Sequence, residues 1–159
     1  MTDGNLSGFA GNKAHWPLAV LRVYTGVFFL IYGYGKLQRG GGFADGMSGF
    51  LNAQENTFGF YRAFIDSVVL PNAGLFSYLI ACGETALGIG LILGLATRYS
   101  AYVGVFLVIN FWFAKGLGFF GAMNHDVVWM SILLVLALMK AGHVYGLDSQ
   151  LKSRYPFLA

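Results

Sequence analysis

Long apolar runs, broken by few charges, constrain this chain more than any other feature. The first covers about residues 16–37, and three more follow at about 72–95, 99–115 and 126–142. A helix needs about 20 apolar residues to cross the hydrocarbon of a bilayer. Only helices and closed barrels satisfy their own backbone hydrogen bonds there. The last two runs are short for a full crossing and call for extension into their flanks or a locally thinned bilayer. Composition points the same way. Of 159 residues, 57% are hydrophobic and 11% charged, with a mean hydropathy of +0.62, whereas a soluble domain carries about 25% charged residues. One domain of this length has too little interior for so much apolar side chain, so the surplus must face lipid. The expected fold is all-α, an integral membrane four-helix bundle spanning 1–159 as one domain.

The segment between the first two runs reads differently. Phe43, Met47, Phe50, Leu51, Phe58, Tyr61, Phe64, Ile65 and Val68 recur at mostly helical spacing among polar residues, the pattern of an amphipathic segment at the membrane interface over about 43–68. Pro71 fits the start of the second span. The first span carries Arg22 and ends in Tyr-Gly-Tyr-Gly-Lys with no small-x-small cleavage pattern, so it reads as a retained helix.

Four crossings put both termini on one side. Lys13, Arg98, Lys140, Lys152 and Arg154 then face Lys36, Arg39, Arg62 and Lys115 across the bilayer. Five cations against four favour a cytoplasmic location for the termini. The net charge of +3 is scattered, with no basic run interleaved with aromatics, which argues against a nucleic-acid partner. The single cysteine, Cys82, cannot form an intramolecular disulfide, so the chain alone runs no dithiol chemistry.

Ionisable groups at membrane depth are costly and face a bundle interior or a cavity. Arg22, Gly26, Phe29, Gly33 and Lys36 share one face of the first span, and Ser77, Ala81, Glu84, Gly88 and Leu91 share one face of the second. Ala86, Gly90 and Gly94 form a neighbouring ridge of small residues. At 1.5 Å per residue Glu84 lies about 15 Å deep and Arg22 about 9 Å from the opposite side. Two polar layers are therefore expected: Arg22, Glu84 and Asn110 in the core, and Lys36, Asp126, Lys115 and His125 at the outer mouth. The pairs Arg22–Glu84 and Lys36–Asp126 serve either as structural ion pairs that fix helix register or as a functional site, with Glu84 as proton acceptor and the others binding a quinone-like head group. Of the histidines, His15 and His143 share a level near span ends, a poor arrangement for haem. No His/Cys/Asp/Glu spacing suits a metal, and no Ser-His-Asp set, phosphate loop or dinucleotide glycine fingerprint stands out.

These residues resemble the DoxX family. The resemblance lies in Arg22, Gly26 and Gly33-Tyr-Gly-Lys36; in Cys82-Gly-Glu84-Thr-Ala-Leu-Gly88 running on to Gly94-Leu-Ala-Thr97-Arg98; and in Asp126 followed by an apolar helix and Ala-Gly142-His-Val-Tyr-Gly146-Leu-Asp148. It covers about 18–148. Two features depart from it: the 40–71 segment is longer than in short members, and Val69-Leu-Pro71-Asn stands where Gly-x-Pro is common. The resemblance implies a small four-helix bacterial or archaeal membrane protein, similar to the DoxD subunit of a thiosulfate:quinone oxidoreductase. It implies a multi-pass inner-membrane subunit of a quinone-linked sulfur, thiol or oxidative-stress redox complex, with the electron donor on a protein partner. A non-enzymatic anchor, scaffold or assembly factor is the alternative. A small-solute carrier would require a homo-oligomer, because four helices show no internal repeat.

Overall fold

The computed structural model describes residues 16–39 and 41–151, and among these every regular element is helical. They are α1 (Trp16–Arg39), α2 (Gly41–Asn52), α3 (Gly59–Phe64), α4 (Ala73–Leu93), α5 (Thr97–Lys115), α6 (His125–Leu138) and α7 (Leu147–Leu151). α1 packs along α4, α4 on α5, and α5 on α6. Two helical stretches are long and apolar enough to cross a membrane, 16–39 and 59–93, and only 28% and 33% of their most apolar windows are buried. The core helix of a soluble protein would be mostly buried. Here Tyr24, Ile31, Leu75, Phe106 and Leu138 point their apolar bulk outward, as lipid-facing residues do.

Both seams read from the sequence are buried. Arg22, Gly26, Phe29 and Gly33 face inward on α1, as do Ser77, Ala81, Glu84, Gly88 and Leu91 on α4. The ridge Ala86-xxx-Gly90-xxx-Gly94 does not act as one unit: Ala86 is exposed, while Gly90 packs on Ser100. The α1–α4 contact is close enough to need glycine. A Cβ on Gly26 would lie 2.8 Å from Ile92 N, one on Gly33 2.5 Å from Thr85 N, and one on Gly88 2.5 Å from Leu30 N. The residue numbers of each of these pairs add to 118, so the two helices run antiparallel in one fixed register.

α4 begins at Ala73, two residues after Pro71, but helical winding already precedes the proline. The chain is helical from Gly59 to Leu93 and adjusts its winding before the proline. Residues 65–69 form a π turn in which the Leu70 N–H donates to Ile65 O, and Leu70–Asn72 tighten into a 3₁₀ turn. Proline lacks a donor and crowds the carbonyl four residues back. A wide turn followed by a tight one absorbs both defects without ending the helix. The fourth apolar helix stops at Leu138 rather than near Gly142, because Lys140 takes a left-handed conformation (φ 49°).

Three non-glycine left-handed residues, Ala96, Lys140 and Tyr145, occur at this same end of the molecule. Each costs on the order of 1–2 kcal/mol. Two buried side chains hold the region. The Arg22 guanidinium donates to Ala141 O (2.6 Å), Val144 O (2.9 Å) and Tyr145 O (3.4 Å). The Asp148 carboxylate accepts from Ala96 N (2.6 Å) and Thr97 N (3.0 Å), capping α5 from a distant part of the chain.

The glycine seam gives a paired test. Gly88→Val should abolish the monodisperse folded peak in detergent, because its Cβ meets α1 backbone that cannot yield. Gly35→Ala, where a Cβ meets nothing within 4 Å, should instead raise stability by about 0.5–1 kcal/mol. Size-exclusion profiles and thermal unfolding of the two variants read this directly.

Candidate functional site

Away from the Arg22 end, the helices separate and leave a chamber of about 730 Å³. α1 contributes Lys36 and Arg39, α2 contributes Phe43, Met47, Phe50 and Leu51, and the α3 region contributes Tyr61, Phe64, Ile65 and Val69. The opposite wall is Phe76, Ile80 and Gly83 of α4 with Phe106, Leu107, Asn110, Phe111 and Lys115 of α5. The 43–68 segment thus forms a wall: Met47, Leu51, Ile65, Val69 and Ala114 pack into a second apolar cluster.

A few polar groups enter this apolar space. Lys36 Nζ lies 2.5 Å from both carboxylate oxygens of Glu84. It is also 5.4 Å from the ring centroids of Phe43 and Phe111, so the ammonium is held by one carboxylate and two aromatic faces. Glu84 is buried, with 3% exposure, while 21% of the Lys36 side chain is exposed. The Tyr61 hydroxyl donates to Asn110 Oδ1 (2.7 Å), and Asn110 Nδ2 donates to Phe106 O (2.6 Å). Lys115 Nζ contacts both oxygens of buried Asp126, at 2.8 and 2.9 Å, across the loop that joins α5 to α6.

Neither expected ion pair forms. Glu84 pairs with Lys36 instead of Arg22, and Asp126 pairs with Lys115 instead of Lys36. The register explains the first correction. The position on α1 opposite Glu84 is residue 34, twelve residues or about 18 Å from Arg22. Side-chain direction adds to this. Helical side chains lean toward their own N-terminus, so Arg22 leans away from Glu84, whereas Lys36 and Glu84 lean toward each other. Lys36 is thereby engaged by Glu84, and Lys115 takes Asp126. Asn110 does reach the chamber, but its partner is Tyr61. His125 is exposed at the start of α6 and does not line the chamber. His143 lies at the far end of α6, and its expected level-mate His15 falls outside the described residues.

Tyr61 and Asp148 carry polar roles that the sequence reading missed. Tyr61 stood in the amphipathic pattern as an apolar position, and Asp148 only as part of an ending motif. A buried-type amide such as Asn110 needs a partner, and that signal could have directed attention to Tyr61.

The DoxX family model matches residues 18–117. The chain belongs to the DoxX family. It is a membrane protein of a family often associated with redox-related complexes. The match takes in both seams and every chamber-lining residue, and it ends before α6. No curated protein and no solved structure matches at a significant level.

Removing one partner of a buried ion pair leaves an uncompensated charge, whereas removing both can be neutral. Lys36→Met should therefore destabilise the protein by about 3–5 kcal/mol, and the double variant Lys36→Met/Glu84→Leu should recover most of that loss. Arg22→Leu should destabilise without rescue by any change at Glu84. Denaturant unfolding of the three variants in one detergent checks both statements.

Proposed function

We propose that this DoxX-family protein is the membrane subunit of a quinone-linked redox complex of the sulfur, thiol or oxidative-stress type. α1, α4, α5 and α6 form the four crossings in the cytoplasmic membrane, with the termini on the cytoplasmic side. The 14-residue α6, about 21 Å long, crosses where the bilayer is thinned. The donor of electrons sits on a protein partner, because this chain offers no dithiol.

One observation carries the reading. Lys36, held from behind by the buried Glu84, stands on the wall of a mostly apolar chamber of about 730 Å³ whose other polar lining is Arg39, Tyr61, Asn110 and Lys115. Binding pockets for small molecules are mostly apolar with a few placed polar groups, and span about 300–1,000 Å³. The residues fit a quinone. Aromatic and aliphatic walls suit the ring and tail, and Lys36 and the second N–H of the Asn110 amide, which Tyr61 orients, offer donors for ring oxygens. When bound, a quinone takes up two electrons and two protons to become the quinol. The chain's part is to bind, orient and exclude water. Lys36 donates a hydrogen bond at one end of the chamber, and the Tyr61–Asn110 pair fixes a second polar point. Glu84 holds Lys36 in place and, as the ionisable acid beside it, handles a proton.

Mild purification followed by solvent extraction and chromatography tests this. Parent protein should release quinone in near-stoichiometric amount. Glu84→Gln, which keeps the shape, and Tyr61→Phe should release much less while eluting as folded protein. A folded parent that carries a protein partner but no quinone, with no effect of Glu84→Gln, would instead make the chain an anchor or scaffold.

A further inference from the structure

α4 and α5 are not parallel rods in contact along their length. At one end they touch closely: a Cβ on Gly90 would lie 2.3 Å from Ser100 Oγ, and one on Gly104 3.0 Å from Leu87 Cδ2. At Gly83 the contact loosens, and the nearest atom to a Cβ is Leu107 Cδ1 at 3.3 Å, a mobile side-chain end. Beyond this point the two helices border the chamber.

The opening lies at a telling height. With the crossing counted from the end of the 3₁₀ turn at Leu70–Asn72, Gly83 is ten residues from either end of α4, and Phe106 is nine from either end of α5. Both are therefore about 14–15 Å from the helix ends, the midplane of a hydrocarbon layer about 30 Å thick. The rim is apolar. Leu79, Val103 and Phe106 line the chamber and are also 57%, 47% and 66% exposed. A solute in water cannot reach a rim at that depth without first dissolving in the lipid.

We infer that the chamber is loaded sideways from the bilayer, through a portal between α4 and α5 whose width is set by Gly83. Its ligand is then a lipid-phase amphiphile with an apolar chain that lies in the portal and a small polar end that meets Lys36. This rests on the chamber being a ligand site, as proposed above, but not on the ligand being a quinone. Gly83 is a gating position rather than a catalytic one, since a side chain there would narrow the passage without touching Lys36 or Glu84.

The test uses 3-trifluoromethyl-3-phenyldiazirine, an apolar carbene precursor that dissolves in bilayers. Parent protein in lipid nanodiscs is irradiated with it and the label mapped by mass spectrometry. Interior positions Ile80 and Phe111 should be labelled along with the outward residues Leu75 and Leu138. Gly83→Leu should lose the interior label and keep the outward one. Val103→Trp, on the facing rim, should do the same and stands in if Gly83→Leu does not fold. Absence of interior label in the parent overturns the portal, as does interior label that persists in a folded portal variant. Interior label from water-soluble photo-leucine, insensitive to Gly83→Leu, overturns it too. Quinone extraction is read separately, so an intact portal with no quinone refutes only the ligand's identity.

Discussion

The close approach of α1 and α4 through Gly26, Gly33 and Gly88 is the constraint on which the remaining geometry depends. Three positions where a Cβ would strike backbone leave the two helices a single register. That register puts Lys36 within reach of Glu84 and puts Arg22 beside Gly94, at the end where the chain returns. Small residues at helix contacts matter most where no hydrophobic force drives helices together, as in lipid, because packing must then supply the attraction. The charges follow from the contact rather than causing it.

The two ends of the molecule use polar groups in opposite ways. At one end Arg22 and Asp148 spend their hydrogen-bonding capacity on backbone, tying Ala141, Val144, Ala96 and Thr97 into a closed knot. Left-handed residues there are held by these bonds. At the other end the 41–69 segment packs on α4 through α2 and is tied to α5 by Thr57 Oγ1 donating to Ala114 O and Phe58 N–H donating to Phe113 O. The cations Lys36 and Lys115 each satisfy one carboxylate, and space remains between them. The π turn before Pro71 contributes to this, since Ile65 and Val69 flank the turn and face the chamber.

What the sequence disclosed was whatever one helix states about itself. The 3-and-4 spacing of Arg22 to Lys36 and of Ser77 to Leu91 marked the faces that are buried, because burial of a helix face is a local pattern. Partnership between helices was less legible. Depth counted along separate spans brought Arg22 toward Glu84, but a buried pair requires the two helices' relative register and the lean of each side chain. Neither is a property of one segment. The chamber was hidden for the same reason: its walls come from α1, α2, α3, α4 and α5, and Tyr61 meets Asn110 across 49 positions of sequence. The pattern at 43–68 falls in the structure on two helical stretches, α2 and the one from Gly59, and its apolar positions Met47, Leu51 and Ile65 pack toward Ala114 of α5 and Phe76 and Ile80 of α4.

Register also bears on why a buried ion pair is present at all. A buried pair is often no better for stability than apolar residues of the same volume, so its usual justification is that it selects one arrangement over others. Here that selection is already made by three glycines against backbone, and a fourth device adds little. Lys36 and Glu84 are therefore surplus to the helix contact. What sets them apart is their place: Lys36 stands on the wall of the chamber with part of its side chain open to it, and Glu84 is sealed behind. An ammonium held by a carboxylate and two aromatic faces has the geometry to meet a polar head group, and this is the ground on which we propose a ligand role for the pair.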